Sequence, residues 1–398
     1  MRNKTYMLNR ESRYGKCAHC NEDNTNKAWC ISCDPDITTR WTIRNKEIDH
    51  FMKTFQLRTW GYEGVIEWIP FDRLTDIEEI GKGGFGSVYK ATWLDGVRKV
   101  DGNDFNYLRA RDPSSIVALK TFSGPLKEVD NYMKCNISVS QLKIYGLTQD
   151  SENKYLVVFQ YANNGNLYQL LKTKFQDFTW KTKLKLLGDI VNDLGNIHLA
   201  GYIHANLHGG NILNDQGINT NLKSYVSDLG MSKKKDENDL ESDIYGVMPY
   251  VAPEVLLGKK FTNAADIYSI GVIMSEMSTG QRAFDGYEFD TKLAVKICKG
   301  LRPGFISGTP DCYIELANQC MNSDPQKRPD VHIIWDKFQK WNESMESSNN
   351  SNEIVRQFLE ADRIVKTLPL KLPKHPDYMY TSKIINTKKI SIEINNIN

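Results

Sequence analysis

A series of short motifs in fixed order constrains this chain more than any other feature. It opens with Gly81-Lys82-Gly83-Gly84-Phe85-Gly86-Ser87-Val88, which begins within a stretch of alternating β-type residues. Glycines at 81, 83 and 86 let a turn bring backbone N–H groups close to anionic oxygens, where any Cβ would clash. A lone G-x-G-x-x-G also makes ordinary hairpins, and this one lacks the lysine that closes a P-loop. The next motif, Val117-Ala118-Leu119-Lys120, sets a lysine in an apolar strand. A lysine so placed is costly to desolvate unless it meets an anion, so Lys120 suits a phosphate ligand; the alternative is an edge-strand lysine that points at water. Three motifs follow: His204-Ala205-Asn206-Leu207-His208-Gly209-Gly210-Asn211, Ser227-Asp228-Leu229-Gly230 and Val251-Ala252-Pro253-Glu254.

The periodicity around these motifs changes along the chain. Strand signals run from Ile77 to Trp93 and return at Ile116–Phe122, Leu142–Leu147 and Tyr155–Tyr161, with Leu94–Ser115 expected as a long loop. After Gly165 the pattern is mainly helical. Leu184, Leu187, Ile190, Val191, Leu194 and Ile197 mark the buried face of a helix over Trp180–Leu199. Further helices are expected at Asp266–Met277, Ile314–Met321, Val331–Trp341 and Glu353–Lys366, with a Ser/Asn-rich linker over Asn342–Asn352. Thr367–Asn398 carries prolines and lysines and is expected to be a loosely attached tail.

In this order and context the motifs resemble those of the eukaryotic protein kinases, specifically the tyrosine-kinase-like serine/threonine branch. The resemblance implies an α+β fold with two lobes over residues 76–341, a small β-rich lobe and a large helical one. It also implies ATP and Mg²⁺ as cofactors and proteins as substrates or partners. The loop Gly81–Gly86, with Gly81, Lys82, Gly83, Gly84 and Gly86, would cover the nucleotide phosphates, Ile80 would be a further nucleotide contact, and Lys120 would pair with the α- and β-phosphates. Asp228 and Asn211 would hold magnesium. Val88, Ala118 and Leu213 would sandwich the adenine, Phe159 would be the gatekeeper, and Gln160, Tyr161 and Ala162 would be the hinge. Asp266 would anchor the catalytic-loop backbone, and Glu254 would pair with Arg328 inside the large lobe.

Three departures separate binding from catalysis. The family's catalytic loop reads His-Arg-Asp, whereas this one reads His204-Ala205-Asn206. Asn206 can still accept a hydrogen bond, but it cannot take a proton. Ala205 removes the arginine that usually receives an activation-loop phosphate. Glu128, the candidate partner of Lys120 on the small-lobe helix, follows it by only eight residues, with Asp130 as a substitute. The expectation is a Mg-ATP-binding protein with weak or no phosphotransfer. The alternative is an active serine/threonine kinase.

Cys17-x-x-Cys20 and Cys30-x-x-Cys33 make two knuckles separated by nine residues, so residues 1–36 are expected to be a zinc-ribbon-like segment with a structural Zn²⁺. A ribbon followed by an extension (37–75) and a tyrosine-kinase-like domain resembles a large fungal kinase-like family. Lysine plus arginine, 51, nearly balances aspartate plus glutamate, 49, and no basic stripe accompanies the knuckles, so neither nucleic acid nor a membrane surface is expected as a partner. The start has no apolar signal core, and the longest apolar runs fall far short of a membrane span, so an intracellular, cytoplasmic setting with reduced thiols is expected. Cys135, Cys298, Cys312 and Cys320 read as small core hydrophobes. Nothing in the sequence sets the oligomeric state.

Overall fold

Alternation of apolar and polar residues folds the segment after Leu74 into antiparallel strands. In a computed structural model of the protein, the described residues are 10–34, 45–83, 86–122, 129, 133, 141–217, 221–235, 243–346, 352–367 and 373–397. The chain divides into two compact units, Met1–Ile137 with Leu142–Tyr161 and Ser138–Gln141 with Ala162–Asn398.

The first unit is β-rich. Its main sheet contains β1 (Glu67–Trp68), β2 (Leu74–Gly83), β3 (Gly86–Trp93), β6 (Ser115–Phe122), β7 (Ile144–Gln149) and β8 (Tyr155–Gln160), in the order β1-β7-β8-β6-β3-β2. Trp93, Val117, Leu119, Leu156 and Val158 form its core with Ile69 and Leu74. Helix α1 (Lys46–Gln56) buries Ile48, Phe51, Met52 and Phe55 and is capped by Asn45, whose side chain accepts from the N–H groups of Glu47 and Ile48.

The stretch expected as a loop after Leu94 is instead a hairpin, β4 (Arg98–Asn103) with β5 (Asn106–Arg111). Its turn places Phe105 at φ 73°. The charges that make this segment read as solvated have fixed partners. Arg98 Nε donates to Glu67 Oε1 at 2.7 Å, and Arg111 pairs with the other oxygen of the same carboxylate.

The second unit is mainly helical: α2 (Leu167–Lys174), α3 (Trp180–Leu199), α4 (Asn263–Thr279), α5 (Thr291–Cys298), α6 (Asp311–Cys320), α7 (Val331–Glu346), α8 (Glu353–Thr367) and α9 (Thr387–Ile397). Helix α3 buries Leu184, Leu187, Val191 and Leu194 and packs against α7. Helix α4 is buried along almost its whole length and stops at Gly280, which adopts the left-handed φ of 68° that ends helices. Helix α7 runs on to Glu346, five residues past Trp341, into the stretch expected as a linker. Short strands frame the loops: β9 (Tyr202–Ile203) pairs with β12 (Lys233–Lys234), and β10 (Ile212–Asp215) pairs with β11 (Lys223–Val226).

The expectation of a loose tail is corrected for residues 373–397. β14 (Lys383–Asn386) pairs antiparallel with β13 (Asp243–Gly246), and α9 packs on α5 and on the helical turn Pro253–Leu256. Tyr380, Ile385, Thr387 and Ile390 are buried there. The sequence reads as polar because these anchors are singly spaced among lysines and asparagines, with no helical or strand period long enough to stand out.

Candidate functional site

In the first unit, the glycine-rich motif closes the β2–β3 hairpin, with Gly81 opposite Val88, Lys82 opposite Ser87 and Gly83 opposite Gly86. Gly86 sits at φ 122°, and a Cβ there would lie 2.5 Å from the Thr121 carbonyl oxygen. No side chain other than hydrogen fits. Gly81, by contrast, faces open space. Thr121 fastens the hairpin by accepting from Ser87 N at 2.9 Å and donating to Ser87 O at 3.2 Å. The sequence reading missed this clamp, because a threonine after a strand lysine carries no signal of its own.

Strand alternation puts Ala118 and Lys120 on one face of β6 and the fully buried Val117 and Leu119 on the other. Lys120 pairs in register with Val88, and its Nζ lies 5.9 Å from the centre of the Phe122 ring. Phe159 is buried on β8 opposite Ala118, and Gln160 is opposite Val117 at the end of that strand. Ile80 and Lys82 are exposed. Gly84, Glu128 and Asp130 lie outside the described residues, as does Cys135.

In the second unit, the catalytic-loop motif is built around Asp266, which is 2% exposed on α4. Its two oxygens accept from His204 N at 2.8 Å and Ala205 N at 3.0 Å, and His198 Nε2 lies 2.9 Å from Oδ2. This clamp holds Ala205 at φ 63°, a left-handed conformation that a non-glycine residue adopts only when its surroundings fix it. His204 Nδ1 accepts from Asn206 N at 3.3 Å, so its Nε2 carries the proton that it shares with Ser227 O at 3.0 Å. Asn206 is 5% exposed. Asn211 Nδ2 donates to Asn206 O at 2.9 Å, and Ser227 N and Oγ both donate to Asn211 O at 2.9 Å. Asn211 and Asp228 are thereby carried on two segments that Ser227 stitches together. Asp228 itself is left-handed, at φ 60° and ψ 60°. An amide oxygen and a carboxylate are hard donors of the kind that suit Mg²⁺.

Leu213 lies on β10, and Ala162, at the start of this unit's main segment, is buried. Arg328 grips Glu254 through two parallel bonds of 2.7 Å, as expected. Gly209 has a packing reason that the sequence does not show: a Cβ there would lie 2.3 Å from the ring of Tyr168. Tyr168 donates to the Tyr250 hydroxyl at 2.9 Å, and Tyr250 in turn donates to Glu276. Burial pushes the Glu276 carboxyl up to about 7. Burial, aided by the neighbouring His204, pushes His208 down to about 3. His208 is therefore a neutral ring in the loop.

The sulfur atoms of Cys17, Cys20, Cys30 and Cys33 all lie within 4.8 Å of one another in the first unit. Cys20 Sγ and Cys30 Sγ are 3.8 Å apart. Four thiolates around one tetrahedral ion with metal–sulfur bonds of about 2.3 Å require a spacing of about 3.8 Å, so the set can hold one metal ion. The segment is fastened to the β4–β5 hairpin. Arg109 donates to Ala28 O at 2.9 Å and pairs with the buried Asp34 at 2.7 Å, and Phe105 N donates to Arg13 O at 2.6 Å. Among the described residues no helix is long and apolar enough to cross a membrane.

Comparison with known proteins agrees with this geometry. The chain is 28% identical over 320 residues to the probable serine/threonine-protein kinase roco5 of Dictyostelium discoideum, covering 77% of this chain and 11% of that protein. A second Dictyostelium discoideum protein, also named a probable serine/threonine-protein kinase, is 28% identical over 274 residues, 67% of this chain and 27% of the relative. R818 of Acanthamoeba polyphaga mimivirus, named as a serine/threonine-protein kinase/receptor, is 31% identical over 180 residues, 45% of this chain and 10% of its own length. The chain thus spans only about a tenth to a quarter of these relatives. The family model described as protein tyrosine and serine/threonine kinase matches residues 74–338. Because that match takes in more than half of the 398 residues, the chain belongs to the protein tyrosine and serine/threonine kinase family.

Proposed function

We propose that this chain binds Mg-ATP and acts in signalling as a nucleotide-responsive module, with phosphotransfer that is slow or absent. The observation that carries the reading is Asn206, buried on a loop clamped by Asp266, in the place where the family's catalytic aspartate stands. Its amide orients a hydroxyl but accepts no proton. Mg-ATP, when bound, supplies the γ-phosphoryl group and the metal that offsets its charge. Gly81, Gly83 and Gly86 would admit the phosphates close to backbone N–H groups, and Lys120 would pair with them. Asn211 and Asp228 would hold magnesium by their oxygens. Ile80, Val88, Ala118, Ala162 and Leu213 would enclose the base, and Gln160 and Glu128 would complete the set.

Phosphotransfer to a generic protein substrate tests this reading. Wild type is expected to transfer near background, and Asn206→Asp to raise the rate by about 10²–10⁴-fold, the usual worth of a general base. Robust transfer by wild type that Lys120→Ala abolishes would instead establish the active serine/threonine kinase.

The four cysteines are proposed to hold a structural Zn²⁺ that stabilises the N-terminal segment. Metal analysis should give one zinc per chain, lost in Cys17→Ser/Cys20→Ser. No zinc in freshly purified protein, and none taken up from added Zn²⁺, contradicts this.

A further inference from the structure

The tail of this chain enters the catalytic loop. Ser382 Oγ donates to Asn206 Oδ1 at 3.0 Å and lies 3.4 Å from His208 Nε2. Past Ser382, β14 runs antiparallel to β13, which lies in the stretch from Asp228 to Glu254 that the kinase resemblance makes the activation segment, with Lys383 opposite Gly246, Ile384 opposite Tyr245 and Ile385 opposite Ile244. Ile385 is 5% exposed, while its neighbour Ile384 is 72% exposed, so a single face of the strand is read. Ahead of Ser382, Tyr380 fills an aromatic recess. Its ring lies 5.0 Å from that of Phe289 and 5.7 Å from that of Tyr168, with the Arg282 guanidinium 4.3 Å above it. Its hydroxyl donates to Ala283 O at 2.9 Å.

These contacts have the form of peptide recognition by strand addition. Main-chain pairing gives affinity, and pockets for alternate side chains give selectivity. The recess reads an aromatic residue, Asn206 a hydroxyl two positions later, and the β13 face a branched aliphatic residue three positions after that. Arg282 adds selectivity by pairing with Asp377 at 2.9 Å and donating to His375 O at 2.7 Å.

We propose that β13, Asn206 and the recess around Phe289 form a binding site for extended peptides of the pattern aromatic-x-Ser-x-x-aliphatic, and that residues 377–386 are its tethered resident ligand. An incoming segment of the same chemistry binds by displacing the tail. The site needs no nucleotide, so it stands apart from the Mg-ATP reading. A ligand on a short tether competes at an effective concentration in the millimolar range. The intact chain therefore discriminates against weak peptides and admits tight ones.

The test is a fluorescence-anisotropy titration, without nucleotide, of a labelled peptide with the sequence of residues 376–386. It is run against the full-length wild type and the full-length variants Tyr380→Ala and Ile385→Asp. Both variants are expected to bind the peptide at least about 10-fold more tightly than wild type, because their own tails no longer compete. A peptide with alanine in place of the serine should bind about 2–10-fold more weakly, the worth of one hydrogen bond. Equal binding by wild type and both variants, or no binding by a variant that still melts cooperatively, overturns the proposal. Hydrogen exchange on wild type decides the matter even if a variant fails to fold. The amides of residues 243–246 and 383–386 should be protected together, and excess peptide should deprotect 383–386 alone. Fast exchange of both segments in the free chain overturns the proposal.

Discussion

Asp266 gives the catalytic loop its shape by satisfying two backbone N–H groups and one imidazole from a single buried carboxylate. Removing it leaves those donors buried without a partner, at about 1–3 kcal/mol each. Asp266→Ala is therefore expected to lose about 3 kcal/mol or more in a denaturant melt, whereas Asp266→Asn, which keeps one acceptor, loses less. A second residue-scale expectation concerns pH. Burial raises Glu276 from its ordinary 4.5 to about 7, so between those values the folded chain holds a proton that the unfolded chain releases. Its contribution to stability is complete below about 4.5 and is lost as pH rises through 7. Asp193, raised by burial to about 7, adds to the same trend. His208, lowered by burial to about 3, works the other way: its contribution is complete above about 6.5 and is lost as pH falls toward 3. Glu276→Gln should lose less stability than wild type between pH 5 and 7 in parallel melts. An identical slope would show that Glu276 does not titrate there. At this scale the sequence was partly legible. Asp266, Glu254 and Arg328 were legible through the ordered motifs that carry the kinase resemblance, whereas Thr121, His198 and Gly209 act through contacts whose partners are remote in sequence.

At the scale of elements, close approach decides where small residues are needed. A Cβ on Gly271 of α4 would lie 2.5 Å from Met321 Cγ and 2.9 Å from the Ala317 carbonyl oxygen, so α4 and α6 touch backbone to backbone at this point. Gly271→Ala must push these elements apart and is expected to destabilise by about 1–3 kcal/mol despite its better helix propensity, as measured by urea melts. A neutral or stabilising result would show that the contact is looser than described. Long elements were legible from their period: α3 occupies Trp180–Leu199 as its apolar spacing predicts. Short ones were not. The β4–β5 hairpin carries charges whose partners, such as Glu67, lie on another strand, and β14 is four residues long, too short for alternation to register.

For the whole molecule, the sequence keeps the proposed nucleotide ligands Lys120, Asn211 and Asp228, while Asn206 takes the place of the family's catalytic aspartate. The tail matters here too, because Ser382 holds Asn206 and the activation segment is paired with β14. Adding Ile385→Asp to Asn206→Asp should therefore raise transfer to outside substrates above that of Asn206→Asp alone. The central claim is retention of the nucleotide site, and thermal unfolding of the full chain with millimolar Mg-ATP tests it most directly. Wild type is expected to be stabilised, by about 2.7 kcal/mol at a ligand concentration 100 times Kd. Folded Lys120→Ala and Asp228→Ala variants should show a smaller shift or none. A cooperative wild-type melt that millimolar Mg-ATP leaves unmoved would contradict the account.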